Sequence, residues 1–222
     1  MKLYKYCDKT GVNILRHKVL RISRIDEFND PYEFKMAQSD NNDINNAIDN
    51  IYRYQKEAYR VLCFTSECNN PILWGHYSKN HTGILVKFDT ALILVNGNAP
   101  LSTFLEPVEY KDDMITIPGD FMKLDRKTQM GIIQKNTFRK YTDWQYEKED
   151  RGIVSFDHKE NKRYLELAPE SILEVVIGLN CDLETELTVK SILGEVEYRR
   201  VELKRSFLHE TKYEMKYVDM NT

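Results

Sequence analysis

The contiguous apolar runs of this chain are short, which bears first on whether any segment could span a membrane. Ile84-Leu85-Val86 and Val175-Val176-Ile177 typify the longest, against the roughly 20 residues that cross a bilayer. No membrane span is expected, therefore, and the protein is expected to work without a membrane partner. Helical periodicity is sustained best between Asn41 and Tyr59, where Ile44, Ala47, Ile48, Ile51 and Tyr52 recur at helical spacing. The other apolar segments read as strands or as further helical stretches.

The spacing predicts strands at Lys2–Tyr6, Val19–Ile22, Arg60–Thr65 and Gly83–Phe88, with helical turns at Thr10–Arg16 and a short helix at Pro71–Ser78 that carries proline in its first turn. Asn29-Asp30-Pro31 breaks the chain, because proline fixes its own φ and disfavours the helical region for the residue before it. Leu101–Tyr110 reads as extended and Phe121–Tyr141 as helical. Further strands are expected at Gly152–Phe156, Arg163–Leu167, Leu173–Leu179, Glu195–Leu203 and Lys212–Val218, and a helix at Leu183–Leu193. The order lacks the regular strand and helix alternation of a doubly wound sheet, and no phosphate-binding glycine motif follows a strand. The expectation is an α+β fold: a single domain over residues 1–222, with a bent or split, mainly antiparallel sheet flanked by short helices.

Charge leaves the partner open, since 32 Lys+Arg against 35 Asp+Glu give a net charge of -3. The first residues, Met1-Lys2-Leu3-Tyr4-Lys5-Tyr6-Cys7, lack the apolar stretch and small-residue cleavage site of a secretory signal. With four cysteines, too few for a disulfide framework, the cytoplasm is the expected location.

Four polar clusters stand out. Cys63 and Cys68 followed by His76 and His81 have pairwise spacings near those of zinc sites, but the gap between the pairs is short and buried thiols are the simpler reading. Trp74-Gly75-His76-Tyr77 with His81 gathers aromatic and imidazole rings that suit either a pocket wall or core packing. Phe28-Asn29-Asp30-Pro31-Tyr32-Glu33 is a turn by its chemistry. In Trp144–Arg151, alternate residues of an extended chain would put Glu147, Glu149 and Arg151 on one face, a carboxylate beside a cation.

Taken in order, Leu3-Tyr4-Lys5-Tyr6, Phe28–Glu33, Leu62-Cys63-Phe64-Thr65, Leu73–Tyr77 with His81-Thr82-Gly83, Val108-Glu109-Tyr110, and Tyr146–Glu149 with Arg151 resemble a widespread bacterial and phage family known as a domain of unknown function, met beside defence genes. Tryptophan is usual where this chain has Asp150, and serine is commoner at Gly75. The opening strand, small helix, second strand bearing Ser23 and late glutamate are also similar to ADP-ribosyltransferase-type domains.

That second resemblance implies NAD as the bound substrate, Glu149 as the catalytic glutamate assisted by Arg151, and NAD contacts from Lys5, Tyr6, Ser23, Asn29, Asp30, Trp74, His76, Tyr77 and His81. Lys5 stands where better-known members carry histidine or arginine. It further implies transfer of ADP-ribose to a macromolecular acceptor, or NAD hydrolysis, by a toxin or anti-phage effector. Two other readings stand beside it. One is a non-catalytic ligand- or protein-binding module of a defence system, and the other a metal-dependent nuclease built on Asp30, Glu33, Glu147 and Glu149.

Overall fold

A computed structural model describes residues 1–156 and 162–220. In chain order it contains β1 (Lys2–Cys7), α1 (Val12–His17), β2 (Val19–Arg21), α2 (Asn42–Ala58), β3 (Tyr59–Thr65), α3 (Pro71–Tyr77), β4 (Ile84–Asp89), β5 (Leu94–Val95), β6 (Ala99–Pro100), β7 (Leu105–Pro107) and β8 (Glu109–Tyr110). There follow α4 (Arg126–Thr137), β9 (Arg139–Lys140), β10 (Glu149–Ser155), β11 (Tyr164–Glu166), β12 (Ile172–Ile177), α5 (Leu183–Leu193), β13 (Glu202–Leu208) and β14 (Met215–Asp219). The chain divides into two compact units: Met1–Arg21, Cys63–Phe104 and Tyr164–Thr222 in the first, Ile22–Leu62 and Leu105–Arg163 in the second.

The first unit is a mixed sheet in the strand order β14-β13-β12-β4-β1-β3, to which β3 contributes its second half. β4 pairs antiparallel with both β1 and β12, while β12 and β13 run parallel. Apolar runs in the sequence become the central strands, because a strand covered on both faces needs no polar alternation. Ile84, Leu85, Val86, Phe88, Val175, Val176 and Ile177 are all fully buried. Glycine is required at Gly83, where a Cβ would lie 1.9 Å from the Cys7 carbonyl oxygen.

In the second unit, Asn41 caps α2 by accepting a hydrogen bond from the Asp43 backbone N–H. The helix buries Ile44 and Ile48 against Met36, Ile117 and Phe121. β10 pairs antiparallel with β7, and β8 runs parallel with β9. Ser23 lies just beyond β2 and forms an isolated antiparallel bridge with Val61.

The α+β class and the predominance of antiparallel pairing hold. Three segments differ from expectation. Glu195–Leu203 is not continuously extended: a 3-10 turn at Val196–Tyr198 precedes β13 and buries the Tyr198 ring, whose hydroxyl donates to the Leu15 carbonyl at 2.6 Å. Such a ring needs both burial and a hydroxyl partner, which outweighs the local strand pattern. Within Phe121–Tyr141 the helix is confined to α4, since Asp125 caps it through the Thr128 N–H and Lys140 already belongs to β9. Leu101–Tyr110 opens with a turn at Leu101–Thr103 before β7 and β8.

Among the described residues no helix is long and apolar enough to cross a membrane.

Candidate functional site

The residues implied in NAD contact fall in both units. Lys5, Tyr6, Trp74, His76, Tyr77 and His81 lie in the first; Ser23, Asn29, Asp30, Glu149 and Arg151 lie in the second.

In the first unit the aromatic cluster is largely core. Trp74 is fully buried, meets Tyr6 edge-on at 5.3 Å, and stacks parallel to His81 at 6.1 Å. Its indole N–H donates to the Tyr217 hydroxyl at 3.1 Å, a partner 143 positions away that no local spacing announces. Tyr6 donates to the Glu67 carbonyl at 3.1 Å, and burial first, then the nearby Tyr217, pushes its pKa upward. Lys5 donates to the Cys63 carbonyl at 3.0 Å. His81 ends a run of three left-handed residues (Lys79, Asn80 and His81, φ 50°, 58° and 64°), and burial lowers its pKa. His76 is exposed, with its ring nearly perpendicular to that of Tyr77 at 6.3 Å. All four cysteines are free thiols, and no group of three or more His, Cys, Asp or Glu among the described residues is arranged to hold a metal ion.

The second unit gathers charge in its interior. Arg151, with no exposed surface, donates from Nε and Nη2 to the two carboxylate oxygens of Glu149 at 2.8 and 2.9 Å. It also donates from Nη2 to Glu33 at 3.0 Å and from Nη1 to the Thr137 carbonyl at 2.9 Å. Paired, parallel donation of this kind is the strong form of the guanidinium–carboxylate contact. The Lys140 ammonium sits among three carboxylates: Glu147 at 2.6 Å, Glu33 at 3.2 Å and Glu149 at 3.4 Å. Burial alone would lower the Lys140 pKa, but Glu149, Glu33 and Glu147 together outweigh it and hold the ammonium protonated well above the ordinary lysine range. Trp144 covers this ammonium with its ring centre 4.8 Å away.

Local backbone aims these groups. Asp30 accepts from the Tyr32 N–H at 2.8 Å and so tightens the turn that presents Glu33. The next residue, Phe34, has φ 63°, a region a bulky side chain rarely enters. The Asn136 amide ties down the Phe34 carbonyl at 2.8 Å, and the Arg151 guanidinium lies over its ring at 5.3 Å. The shared face expected of Glu147, Glu149 and Arg151 is reached differently. Glu149 and Arg151 alternate in β10, whereas Glu147 closes a 3-10 turn at Thr142–Glu147 and is swung inward by Lys148 at φ 41°. Lys148→Gly should therefore relieve left-handed strain and raise stability by up to about 1 kcal/mol, measured as a higher urea midpoint at unchanged m.

Over this network lies a cleft of about 320 Å³, lined among others by Asp30, Tyr32, Glu33, Phe34, Lys140 and Tyr141. It is large enough for the head group of a small ligand. Glu33 and Lys140 form its charged floor; Glu149 and Arg151 touch them from behind. Asn29 is exposed in the turn before Asp30. Asp150, where the resembled family has tryptophan, is half-buried, and burial followed by Glu149 raises its pKa. Sequence reasoning passed over Lys140, because it lay in a segment read as helix, and Phe34, because backbone strain leaves no mark in composition. It named Glu33 only as a metal ligand. Its place two residues after Pro of the Asn29-Asp30-Pro31 turn was the available signal.

The fold and this interior define an α+β protein whose second unit carries a buried carboxylate–cation network under an open cleft. Residues 73–152, from α3 into β10, match the family model described as Protein of unknown function (DUF2971). The resemblance to an uncharacterised domain family thus holds over a span containing Lys140, Glu147, Glu149 and Arg151. Neither the curated proteins nor the solved structures yield a match.

Proposed function

We propose that the cleft of the second unit binds NAD, and that the protein is an ADP-ribosyltransferase-like domain delivering ADP-ribose to a macromolecule or to water. The setting suggested by the resemblance, a toxin or defence effector, belongs to the same reading. One observation supports it most: Glu33, a carboxylate gripped by Arg151 and Lys140, lines a cleft of ligand size.

When the bond between the ribose C1′ and the nicotinamide nitrogen breaks, its electron pair leaves with nicotinamide and positive charge grows on the sugar. A carboxylate already fixed in place stabilises that charge without reorganising. The acceptor oxygen or nitrogen then bonds to C1′ and its proton passes to solvent. Glu33 is the carboxylate facing the cleft, so Glu149 acts as a positioning residue that holds Arg151 and Lys140 against it.

A second reading, ligand binding without turnover, is favoured by the burial of Glu149 and the use of both its oxygens by Arg151. A metal-dependent nuclease gains less from this geometry, because the Lys140 ammonium occupies the point where Glu33, Glu147 and Glu149 converge. Release of nicotinamide by wild type, Glu33→Gln and Glu149→Gln separates the readings once folding of each variant is verified by circular dichroism. Turnover in wild type that falls by at least about 100-fold in Glu33→Gln supports transfer. Saturable binding with no release supports the binding module, and absence of both removes NAD from consideration.

A further inference from the structure

A second cavity of the same unit, of about 250 Å³, is lined from α2, α4 and the start of β3. Ile51, Tyr54, Gln55, Tyr59, Met130 and Ile133 contribute to its walls, and none of the side chains that line it is charged. Tyr54 and Tyr59 meet edge to face at 6.1 Å, and Tyr54 and Met130 are exposed. One polar group stands out in this lining. Gln55 has no exposed surface, and a relay fixes the orientation of its amide. The Thr137 hydroxyl donates its one hydrogen to the Ile133 carbonyl at 2.9 Å, so toward Gln55, whose Nε2 lies 3.0 Å away, it can only accept. Gln55 Oε1 is therefore an acceptor, and among the described residues this buried oxygen meets no hydrogen-bond donor. A carbonyl oxygen in that position has given up its hydration for nothing in return.

We infer that this cavity is a second ligand site, taking a small, uncharged, flat heteroaromatic molecule of the indole class whose ring N–H donates to Gln55 Oε1. Size, charge and hydrogen bonding each narrow the class. The volume falls just below the range of about 300–1,000 Å³ that holds drug-sized ligands, which suits a single fused pair of rings. Uncharged walls would leave an ionised ligand without a counter-charge. The tyrosine rings and the Met130 thioether favour an aromatic partner. A purine would bring ring nitrogens that the apolar walls leave unpaired, whereas an indole offers one donor to one acceptor. The inference does not rest on the NAD reading, since the two cavities share no lining residue.

Backbone amide chemical shifts of the isotope-labelled protein, followed during titration with indole and with benzofuran, test this. Benzofuran has nearly the same shape but carries an oxygen in place of the N–H. Indole should give saturable shifts concentrated at residues 50–59 and 130–133, and should bind about five- to tenfold more tightly than benzofuran, the scale of one hydrogen bond. Gln55→Met keeps the length of the side chain without the acceptor and should abolish that preference; the wild-type pair decides the question if the variant does not fold. Equal affinities overturn the inference, as does a preference that survives in folded Gln55→Met. Indole shifts elsewhere, or none up to its solubility limit, overturn it as well and leave the amide oxygen to water.

Discussion

Replacement of Arg151 by alanine is expected to destabilise the second unit by about 3–5 kcal/mol, the loss seen when one member of a buried ion pair is removed. The guanidinium is fully buried and supplies the aligned donors to both oxygens of Glu149, one donor to Glu33, and one to the Thr137 carbonyl. Without it, Glu149 and Glu33 lose their guanidinium partner and the Thr137 carbonyl loses a donor, all at buried positions. Lysine at the same place keeps the charge but not the planar fork, so Arg151→Lys should fall between wild type and alanine. The combined replacement Glu33→Gln, Glu149→Gln, Arg151→Met should cost less than Arg151→Ala alone, since it removes the charges together. If the triple variant is the less stable of the two, packing rather than charge explains the loss. Lys140 adds a pH dependence whose sign is fixed by its raised pKa. The ammonium's contribution is complete below the ordinary lysine value of about 10.4 and is lost only as pH climbs through the higher folded value. Between pH 7 and 10 this part of the network should leave the urea midpoint unchanged.

Trp74→Ala is the second large effect, an expected loss of about 3–5 kcal/mol from the first unit. It empties the space of a fully buried indole, removes the edge-on contact with Tyr6 and the stacked contact with His81, and strips the Tyr217 hydroxyl of its indole donor. Trp74→Phe retains a ring and should lose less. The chain's two tryptophans, Trp74 and Trp144, fall one in each unit. Trp144 fluorescence in a Trp74→Phe background therefore follows the second unit, and Trp74 fluorescence in Trp144→Phe follows the first.

How far the sequence could be read depended on the range of the interactions. α5 at Leu183–Leu193, α2 and β1 were visible because their determinants are local: apolar spacing, a capping side chain, a short alternating run. β4 and β12 were visible as consecutive apolar residues. The 3-10 turn at Val196–Tyr198 was not, because it depends on a carbonyl at Leu15, 183 positions away. The candidate site shows the same division. Glu149 beside Arg151 could be paired from strand alternation alone, and the turn at Asp30 from its Asn-Asp-Pro chemistry. That Glu33 reaches Arg151 across 118 positions could not. Nor could the place of Lys140 among three carboxylates, since β9 is a two-residue strand recognisable only through its pairing with β8.

The central claim is that the functional site is the cleft floored by Glu33 and Lys140. Backbone amide chemical shifts of the isotope-labelled protein, followed during titration with NAD, test it most directly. Saturable shifts concentrated at residues 30–35, 111–115 and 136–141 are the predicted result. Shifts concentrated elsewhere, or none at millimolar NAD, would contradict it.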